Sequence, residues 1–172
     1  MAECIGVIWN GRGGQGAFTA SRILGAAYVL GFENGNALAF PSFGPERRGA
    51  PVKAFTKLSS DKIADRSEIS KPDYTVYLDD SLYASPESGT VLVNSRKSLG
   101  GDSITIDGSG LAESILDVPV ANTAMVGAVA AVWGGISLES IFAGIDAVMP
   151  EKIREKNKKV AERAFNLTED IL

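Results

Sequence analysis

The sequence contains no histidine and a single cysteine, Cys4, among its 172 residues. One cysteine cannot form an internal disulfide, which is typical of a protein of the reducing cytoplasm. It also cannot hold an iron–sulfur cluster, which usually takes four cysteine ligands. Without histidine, the commonest general base and a common metal ligand are both missing. We therefore expect no catalytic residue and no metal ligand in this chain, and we expect any redox chemistry associated with it to be carried by other proteins.

Several other classes of protein are disfavoured. No run of eighteen apolar residues is present, and no basic segment precedes an apolar one at the N-terminus, so the sequence predicts neither a membrane span nor a signal peptide. The net charge of −4 argues against a general nucleic-acid binder. The length is that of a single domain. We expect a cytoplasmic protein with one domain over residues 1–172, in which residues 150–168 form a helical extension.

The hydrophobic pattern, punctuated by glycine and proline, predicts alternating strands and helices. The predicted strands span residues 4–9, 36–40, 52–58, 74–78, 90–94 and 103–106. The predicted helices span residues 17–30, 109–116, 123–133, 137–148 and 150 to about 166. The first strand, helix and second strand predict a βαβ unit with a right-handed crossover. The order predicts an α/β, Rossmann-like fold with a largely parallel sheet flanked by helices.

Individual residues mark several helix ends. The candidates for caps and stops are Gly31, Ser109, Gly134, Ser137, Ser140 and Pro150. The helix predicted over residues 123–133 is apolar on nearly every side. Such a helix is buried all round, either by its own fold or by a partner.

A glycine loop of sequence GRGGQG follows the first predicted strand and comprises Gly11, Arg12, Gly13, Gly14, Gln15 and Gly16. Its glycine spacing matches the dinucleotide fingerprint, but the second strand ends in Ala39-Phe40-Pro41 without the acidic residue that would bind the ribose. The Walker pattern fails too, because no Lys-Ser/Thr follows the last glycine. A tight turn without a ligand and a phosphate or anion site both stay open. Arg12 and Gln15 are candidates to face a ligand or a partner protein.

A second unusual segment, PSFGPERRGAP, spans residues 41–51 and is predicted to be a loop from its proline and glycine content. It carries adjacent arginines, Arg47 and Arg48, which would point in opposite directions on an extended chain. Guanidinium groups bind carboxylate or phosphate through paired hydrogen bonds. A solvated charged loop is the alternative.

Together, GRGGQGAFTASRILGAAY and AFPSFGPERRGAPVKAFTKL closely resemble the gamma subunits of pyruvate:ferredoxin oxidoreductase and related 2-oxoacid:acceptor oxidoreductases. The later stretches KPDYTVYLDDSL and NTAMVGAVAAV resemble the same family, so the resemblance covers about residues 5–145. Members for branched-chain oxoacids carry nearly the same ERRGAP segment, whereas members for indolepyruvate or 2-oxoglutarate usually vary it, which favours the pyruvate-like group. The chain departs from the family at Asn10, where many members have histidine.

The resemblance implies a complex that converts a 2-oxoacid and coenzyme A to acyl-CoA and carbon dioxide while reducing ferredoxin. In that family thiamine diphosphate lies in the alpha and beta subunits and [4Fe–4S] clusters lie in beta and delta. The implied partners are therefore alpha, beta and delta subunits and, through the complex, ferredoxin, with no nucleic acid and no membrane. The implied role of this chain is to support the catalytic core and help form the coenzyme A site.

The resemblance makes the glycine loop and the two arginines the candidates for contact with coenzyme A or with a partner chain. Those residues are Gly11, Arg12, Gly13, Gly14, Gln15, Gly16, Arg47 and Arg48. Two alternatives stay open. One is a gamma subunit of a ketoisovalerate enzyme, and the other is a stand-alone nucleotide-binding protein of Rossmann type.

Overall fold

The computed structural model describes residues 3–42, 47–84 and 88–172. The strands are β1 (Ile5–Arg12), β2 (Asn36–Pro41), β3 (Pro51–Ser59), β4 (Tyr74–Tyr77), β5 (Thr90–Asn94) and β6 (Ile104–Ile106). The helices are α1 (Ala17–Gly31), α2 (Gly108–Leu116), α3 (Asn122–Trp133), α4 (Leu138–Val148) and α5 (Glu151–Ile171). A short 3-10 turn, Asp80–Leu82, follows β4.

The strands form one sheet in the order β2-β3-β1-β4-β5-β6. The neighbours β1, β4, β5 and β6 are parallel, whereas β3 runs antiparallel to both β1 and β2. Strand β2 therefore runs in the same direction as β1, and β3 is the one reversed strand among those described. The predicted α/β class, with a largely parallel sheet flanked by helices, is confirmed.

The predicted βαβ unit needs a correction, because its two strands run in the same direction but are not neighbours. Strand β3 lies between them and pairs with both. A buried chain of hydrogen bonds fastens β3 to β1 and to α1. The indole Nε1 of Trp9 donates to Oγ1 of Thr56 over 3.0 Å, and that hydroxyl donates to the carbonyl oxygen of Ser21 over 3.0 Å.

Strand β1 is longer than the sequence pattern indicates. It continues to Arg12, because Gly11 pairs with Val52 and Arg12 pairs with Pro51 across the antiparallel ladder. The first two residues of the glycine loop are thus strand residues, and the turn begins only at Gly13. Residues 43–46 of the segment predicted to be a loop lie outside the described residues.

Three of the predicted helix boundaries are confirmed to within a residue. Gly134 ends α3 with a φ of 69°, and the hydroxyl of Ser137 caps α4 by accepting from the amide of Ser140. Pro150 stands immediately before α5, which continues to Ile171 rather than ending near residue 166. Helix α5 is therefore longer than the sequence pattern predicts.

Ser109 and Gly31 do not have the positions predicted for them at their helix ends. Ser109 does not cap α2, because the carboxylate of Asp107 accepts from the amide of Gly110 over 2.8 Å and begins the helix earlier. Gly31 is the last residue of α1 and not the residue after it; the extended backbone of Phe32 ends the helix.

The main core lies between one face of the sheet and helices α1 and α3, with α4 and α5 packed outside them. The residues of α3 from Asn122 to Ala130 are all buried within this chain. The apolar character of α3 is thus explained by its own fold. Helix α5 packs along α3 through buried Val160, Ala161 and Ala164. The assignment of residues 1–172 to one domain stays a prediction.

The close packing of α3 on α5 depends on Gly127, where a Cβ atom would collide with the carbonyl oxygen of Ala161. We expect Gly127→Ala to lower the free energy of unfolding by about 2 kcal/mol, because overpacking outweighs the gain in helix propensity. The matched control is Gly25→Ala in α1, where the added methyl makes an ordinary 3.4 Å contact with Ala37. Urea unfolding measures both, and equal stability of the two variants would contradict the packing argument.

Candidate functional site

The carboxyl ends of β1, β4 and β5 meet at one edge of the sheet. From β1 the chain leaves towards β2 on one side, and from β4 it continues to β5 on the other. Adjacent parallel strands whose connections leave in opposite directions open a crevice at their carboxyl ends, which is where open α/β sheets bind ligands. The glycine loop lies on the β1 side of this crevice, and Asp79 and Asp80 lie on the β4 side.

The glycine loop is joined to residues 47–50, which we call the arginine loop. The amide of Gly13 donates to the carbonyl oxygen of Ala50 over 2.8 Å, and the amide of Gly49 donates to that of Gly13 over 3.1 Å. A Cβ atom at Gly13 would collide with the carbonyl oxygen of Arg47, so only glycine permits this approach. The structure thereby brings together the two loops that the sequence singled out.

The glycine loop ends at the N-terminus of α1. Gly14 and Gly16 have φ values of 95° and 83°, and no side chain caps the helix at Gly16. The amides of the first turn of a helix have no partner within the helix, and the helix dipole places partial positive charge there. This end of the crevice is therefore suited to an anion.

Arg12 and Gln15 connect the glycine loop to the residues after β4. The Nε atom of Arg12 lies 3.3 Å from Oδ2 of Asp79, and Nη2 donates to the hydroxyl of Ser81 over 2.9 Å. Nη1 of Arg12 donates to the carbonyl oxygen of Gly49 over 3.1 Å. Gln15 donates to Oδ2 of Asp79 over 3.1 Å and accepts from the amide of Arg12 over 2.8 Å. Three loops are therefore joined by these side chains.

The electrostatics of Asp79 follow from these contacts. Burial opposes ionisation of its carboxyl group, but hydrogen bonds from Ser81 and Gln15 and the charge of Arg12 outweigh burial and lower the pKa of Asp79. Asp79 is thus a carboxylate at neutral pH. Its charge offsets that of the Arg12 guanidinium.

Arg47 and Arg48 differ from Arg12 in their surroundings. Both side chains are exposed at the rim of the crevice, next to the glycine loop, and Lys53 on β3 is also exposed. Neither arginine forms an ion pair with any residue of the described ranges 3–42, 47–84 and 88–172. Arg47 and Arg48 are thus available to a ligand or to another chain.

A cleft of about 360 Å³ opens beside Gln15, between the ends of β4 and β5. Polar side chains that are hydrogen-bonded to one another line this cleft. The side-chain Nδ2 of Asn94 donates to the hydroxyl of Ser109 over 2.8 Å, and the hydroxyl of Ser95 donates to the carboxylate of Asp80 over 2.6 Å. Exposed Lys97 lines the same cleft.

The crevice does not have the layout of a dinucleotide site. The residue that would bind the ribose follows the second strand, which in that fold lies beside the first. Here β2 is separated from β1 by β3, so its end is not next to the glycine loop. Of the two carboxylates on the β4 side, Asp79 is already bound to Arg12 and Gln15, and Asp80 accepts from Ser95.

Comparison with known proteins shows the family. The model of the pyruvate ferredoxin/flavodoxin oxidoreductase family matches residues 6–167. The chain is 44% identical to pyruvate synthase subunit PorC of Methanocaldococcus jannaschii, over 94% of this chain and 96% of that protein. The chain belongs to the pyruvate ferredoxin/flavodoxin oxidoreductase family. The family predicted from the two loops is therefore confirmed.

Two further members support this assignment. The pyruvate/ketoisovalerate oxidoreductases common subunit gamma of Thermococcus kodakarensis is 41% identical, with 95% of this chain and 97% of that protein covered. The crystal structure of pyruvate oxidoreductase subunit PORC from Thermotoga maritima is similar with a TM-score of 0.80 at 29% identity, over 95% of this chain and 96% of that chain. The likeness to these oxidoreductase subunits extends over nearly the whole chain.

The binding role of the glycine loop and of Arg47 and Arg48 in this family member stays a prediction. Reasoning from the sequence did not assign to the site the residues that complete this edge, which are Asp79, Asp80, Ser81, Asn94, Ser95 and Ser109. A usable signal was present, because polar residues directly follow the predicted strands that end at residues 78 and 94. Asn10, at the family's histidine position, is buried and donates to the carbonyl oxygen of Val76 over 3.4 Å.

Within the described part of the chain, no three histidine, cysteine, aspartate or glutamate side chains are grouped so that they could hold a metal ion. None of the helices in those residues has the length and apolar character needed to cross a bilayer.

The lowered pKa of Asp79 predicts an effect of acid on stability. The ionised carboxylate stabilises the fold above the ordinary pKa of an aspartate, and this contribution disappears as pH falls through the lowered pKa. We expect Asp79→Asn to be less stable than the parent at neutral pH, and the difference to shrink below about pH 4. Denaturant unfolding at a series of pH values measures it. If the difference in the free energy of unfolding between parent and Asp79→Asn is the same in neutral and strongly acidic buffer, the ionised Asp79 carboxylate does not stabilise the fold.

Proposed function

We propose that this chain is the gamma subunit of a complex that converts pyruvate and coenzyme A to acetyl-CoA and carbon dioxide while reducing ferredoxin. Its similarity to subunits named for pyruvate synthase and for pyruvate oxidoreductase supports pyruvate as the 2-oxoacid. The similar Thermococcus kodakarensis protein is named for both pyruvate and ketoisovalerate, so a branched-chain 2-oxoacid is the alternative substrate. The chain supports the catalytic core and contributes to the site for coenzyme A.

The observation that carries the coenzyme A role is the position of Arg47 and Arg48. Both are exposed, both lack an ion pair with any described residue, and both stand next to the glycine loop and the free N-terminus of α1. Coenzyme A carries a pyrophosphate, which is bound well by fixed guanidinium groups and by unpaired backbone amides. In a chain of net charge −4, a cationic rim at one edge of the sheet is the feature that an anionic ligand would use.

The redox chemistry belongs to the partner subunits in this proposal. Thiamine diphosphate is held by alpha and beta, and [4Fe–4S] clusters are held by beta and delta and pass electrons to ferredoxin. The residues of this chain are consistent with that division, because it has one cysteine and no histidine. The proposed complex is cytoplasmic, as a single cysteine without a disulfide partner indicates.

Coenzyme A titration of the assembled complex tests the role of the arginines. We expect Arg47→Ala and Arg48→Ala each to raise the apparent KM for coenzyme A by about fivefold to tenfold, because a charge-assisted contact to phosphate is lost. The KM for the 2-oxoacid should stay unchanged. Arg163→Ala, an exposed arginine on α5, is the matched control. Unchanged KM values for coenzyme A with intact assembly would leave these arginines a role at a subunit interface only.

Co-purification distinguishes a subunit from a stand-alone nucleotide-binding protein. We expect the tagged chain, isolated from its own cells, to bring down larger chains that carry thiamine diphosphate and iron–sulfur clusters. The chain alone should bind NAD and coenzyme A weakly, because its ligand site is shared. Calorimetric titration of the isolated chain provides the second measurement. Tight NAD binding by a chain that purifies alone would contradict the proposal.

A further inference from the structure

Arg12 lies where three loops meet, and its contacts differ from those of the other two arginines. Its guanidinium reaches Asp79, Ser81 and the carbonyl oxygen of Gly49, each through a different nitrogen atom. Only 34% of the Arg12 side chain and 21% of the Asp79 side chain are exposed. A group whose three nitrogens are engaged within the chain, and whose charge is offset by a carboxylate, is poorly suited to bind a phosphate.

The hydrogen bond from Arg12 to the carbonyl oxygen of Gly49 helps to hold the arginine loop in place. The carbonyl oxygen of Gly49 accepts from Arg12, while its amide donates to the carbonyl oxygen of Gly13. Gly49 directly follows Arg47 and Arg48 in the chain. Both ends of the Gly49 residue are therefore fastened to the glycine loop, and the directions of the two preceding arginines depend on that attachment.

Asp79 fixes Arg12 from the opposite side of the crevice. Its Oδ2 atom binds both Arg12 and Gln15, while its Oδ1 atom accepts from the amide and the hydroxyl of Ser81 over 3.0 Å and 2.6 Å. The carboxylate is thereby held in one orientation by four groups, and it holds the guanidinium in turn. A charged pair with this many fixed partners is geometrically well defined.

We infer that Arg12 and Asp79 are positioning residues that hold the arginine loop, and that Arg12 is not itself a phosphate ligand. That they orient Arg47 and Arg48 towards coenzyme A rests on the proposed function. The sequence pattern groups Arg12, Arg47 and Arg48 together as candidate ligands. The contacts separate them, because Arg12 is bound within the chain, whereas Arg47 and Arg48 form no ion pair with any described residue.

The variant Asp79→Asn separates the two roles of Arg12. Asparagine keeps the size of the side chain and its capacity to cap the 3-10 turn, but it removes the charge that holds the guanidinium. If Arg12 positions the arginine loop, Asp79→Asn raises the apparent KM for coenzyme A. If Arg12 binds phosphate, the variant frees its charge, and the apparent KM for coenzyme A stays the same or falls.

The experiment compares assembled complexes that carry Asp79→Asn, Arg12→Gln and both substitutions. We expect each single variant to raise the apparent KM for coenzyme A about fivefold, with kcat at saturating coenzyme A and the KM for the 2-oxoacid near those of the parent. The double variant should be no worse than either single one, because both remove the same contact. Arg12→Lys should resemble Arg12→Gln, since one ammonium cannot bridge three loops. The matched control is Asp146→Asn, which removes a 2.8 Å ion pair to Lys158 between α4 and α5.

Amide hydrogen exchange of the complexes without coenzyme A supplies a readout that does not depend on the ligand. We expect exchange in the peptide covering residues 47–53 to be about tenfold faster in Asp79→Asn and Arg12→Gln than in the parent and in Asp146→Asn. Unchanged exchange there would overturn the inference, as would an unchanged or lower KM for coenzyme A in Asp79→Asn beside a raised one in Arg12→Gln. Faster exchange with unchanged KM values in these variants and in Arg47→Ala and Arg48→Ala would support the positioning role and contradict the coenzyme A assignment.

Discussion

The antiparallel pairing of β3 with β1 is the constraint on which the candidate site depends. Because Pro51 pairs with Arg12, the chain that enters β3 has to pass directly beside the chain that leaves β1. The arginine loop therefore lies on the glycine loop. In a sheet where β2 was the neighbour of β1, the end of β2 would occupy that place instead. The buried hydrogen bonds from Trp9 to Thr56 and on to Ser21 hold β3 in this position.

This placement explains why a dinucleotide-like glycine pattern occurs here without the layout of a dinucleotide site. The spacing of Gly11, Gly13 and Gly16 meets two needs of this fold, a close approach of two backbones at Gly13 and a left-handed residue at the start of α1. Neither need involves a ribose. No carboxylate follows β2 where a dinucleotide would require one, and Asp79, which follows β4, has Arg12 and Gln15 as its partners.

The sequence predicted the elements better than it predicted their arrangement. The strand over residues 90–94 matches β5, and the cap at Ser137 and the stop at Gly134 are confirmed, because each depends on local chemistry. The end of β1 and the insertion of β3 could not be read from periodicity. They depend on pairing between residues about forty positions apart, and a glycine-rich segment read alone favours a turn.

The same distinction applies to the site. The glycine spacing and the adjacent arginines singled out both loops, and resemblance to the family joined them. The different surroundings of Arg12 and of Arg47 and Arg48 depend on Asp79, which the sequence pattern did not connect to the glycine loop. An arginine that is neutralised within its own chain contributes order, while an exposed and unneutralised one contributes attraction for an anion. In the proposed role, the charge of Arg47 and Arg48 attracts coenzyme A at a lower entropic cost when the arginine loop is already held in place before the ligand arrives.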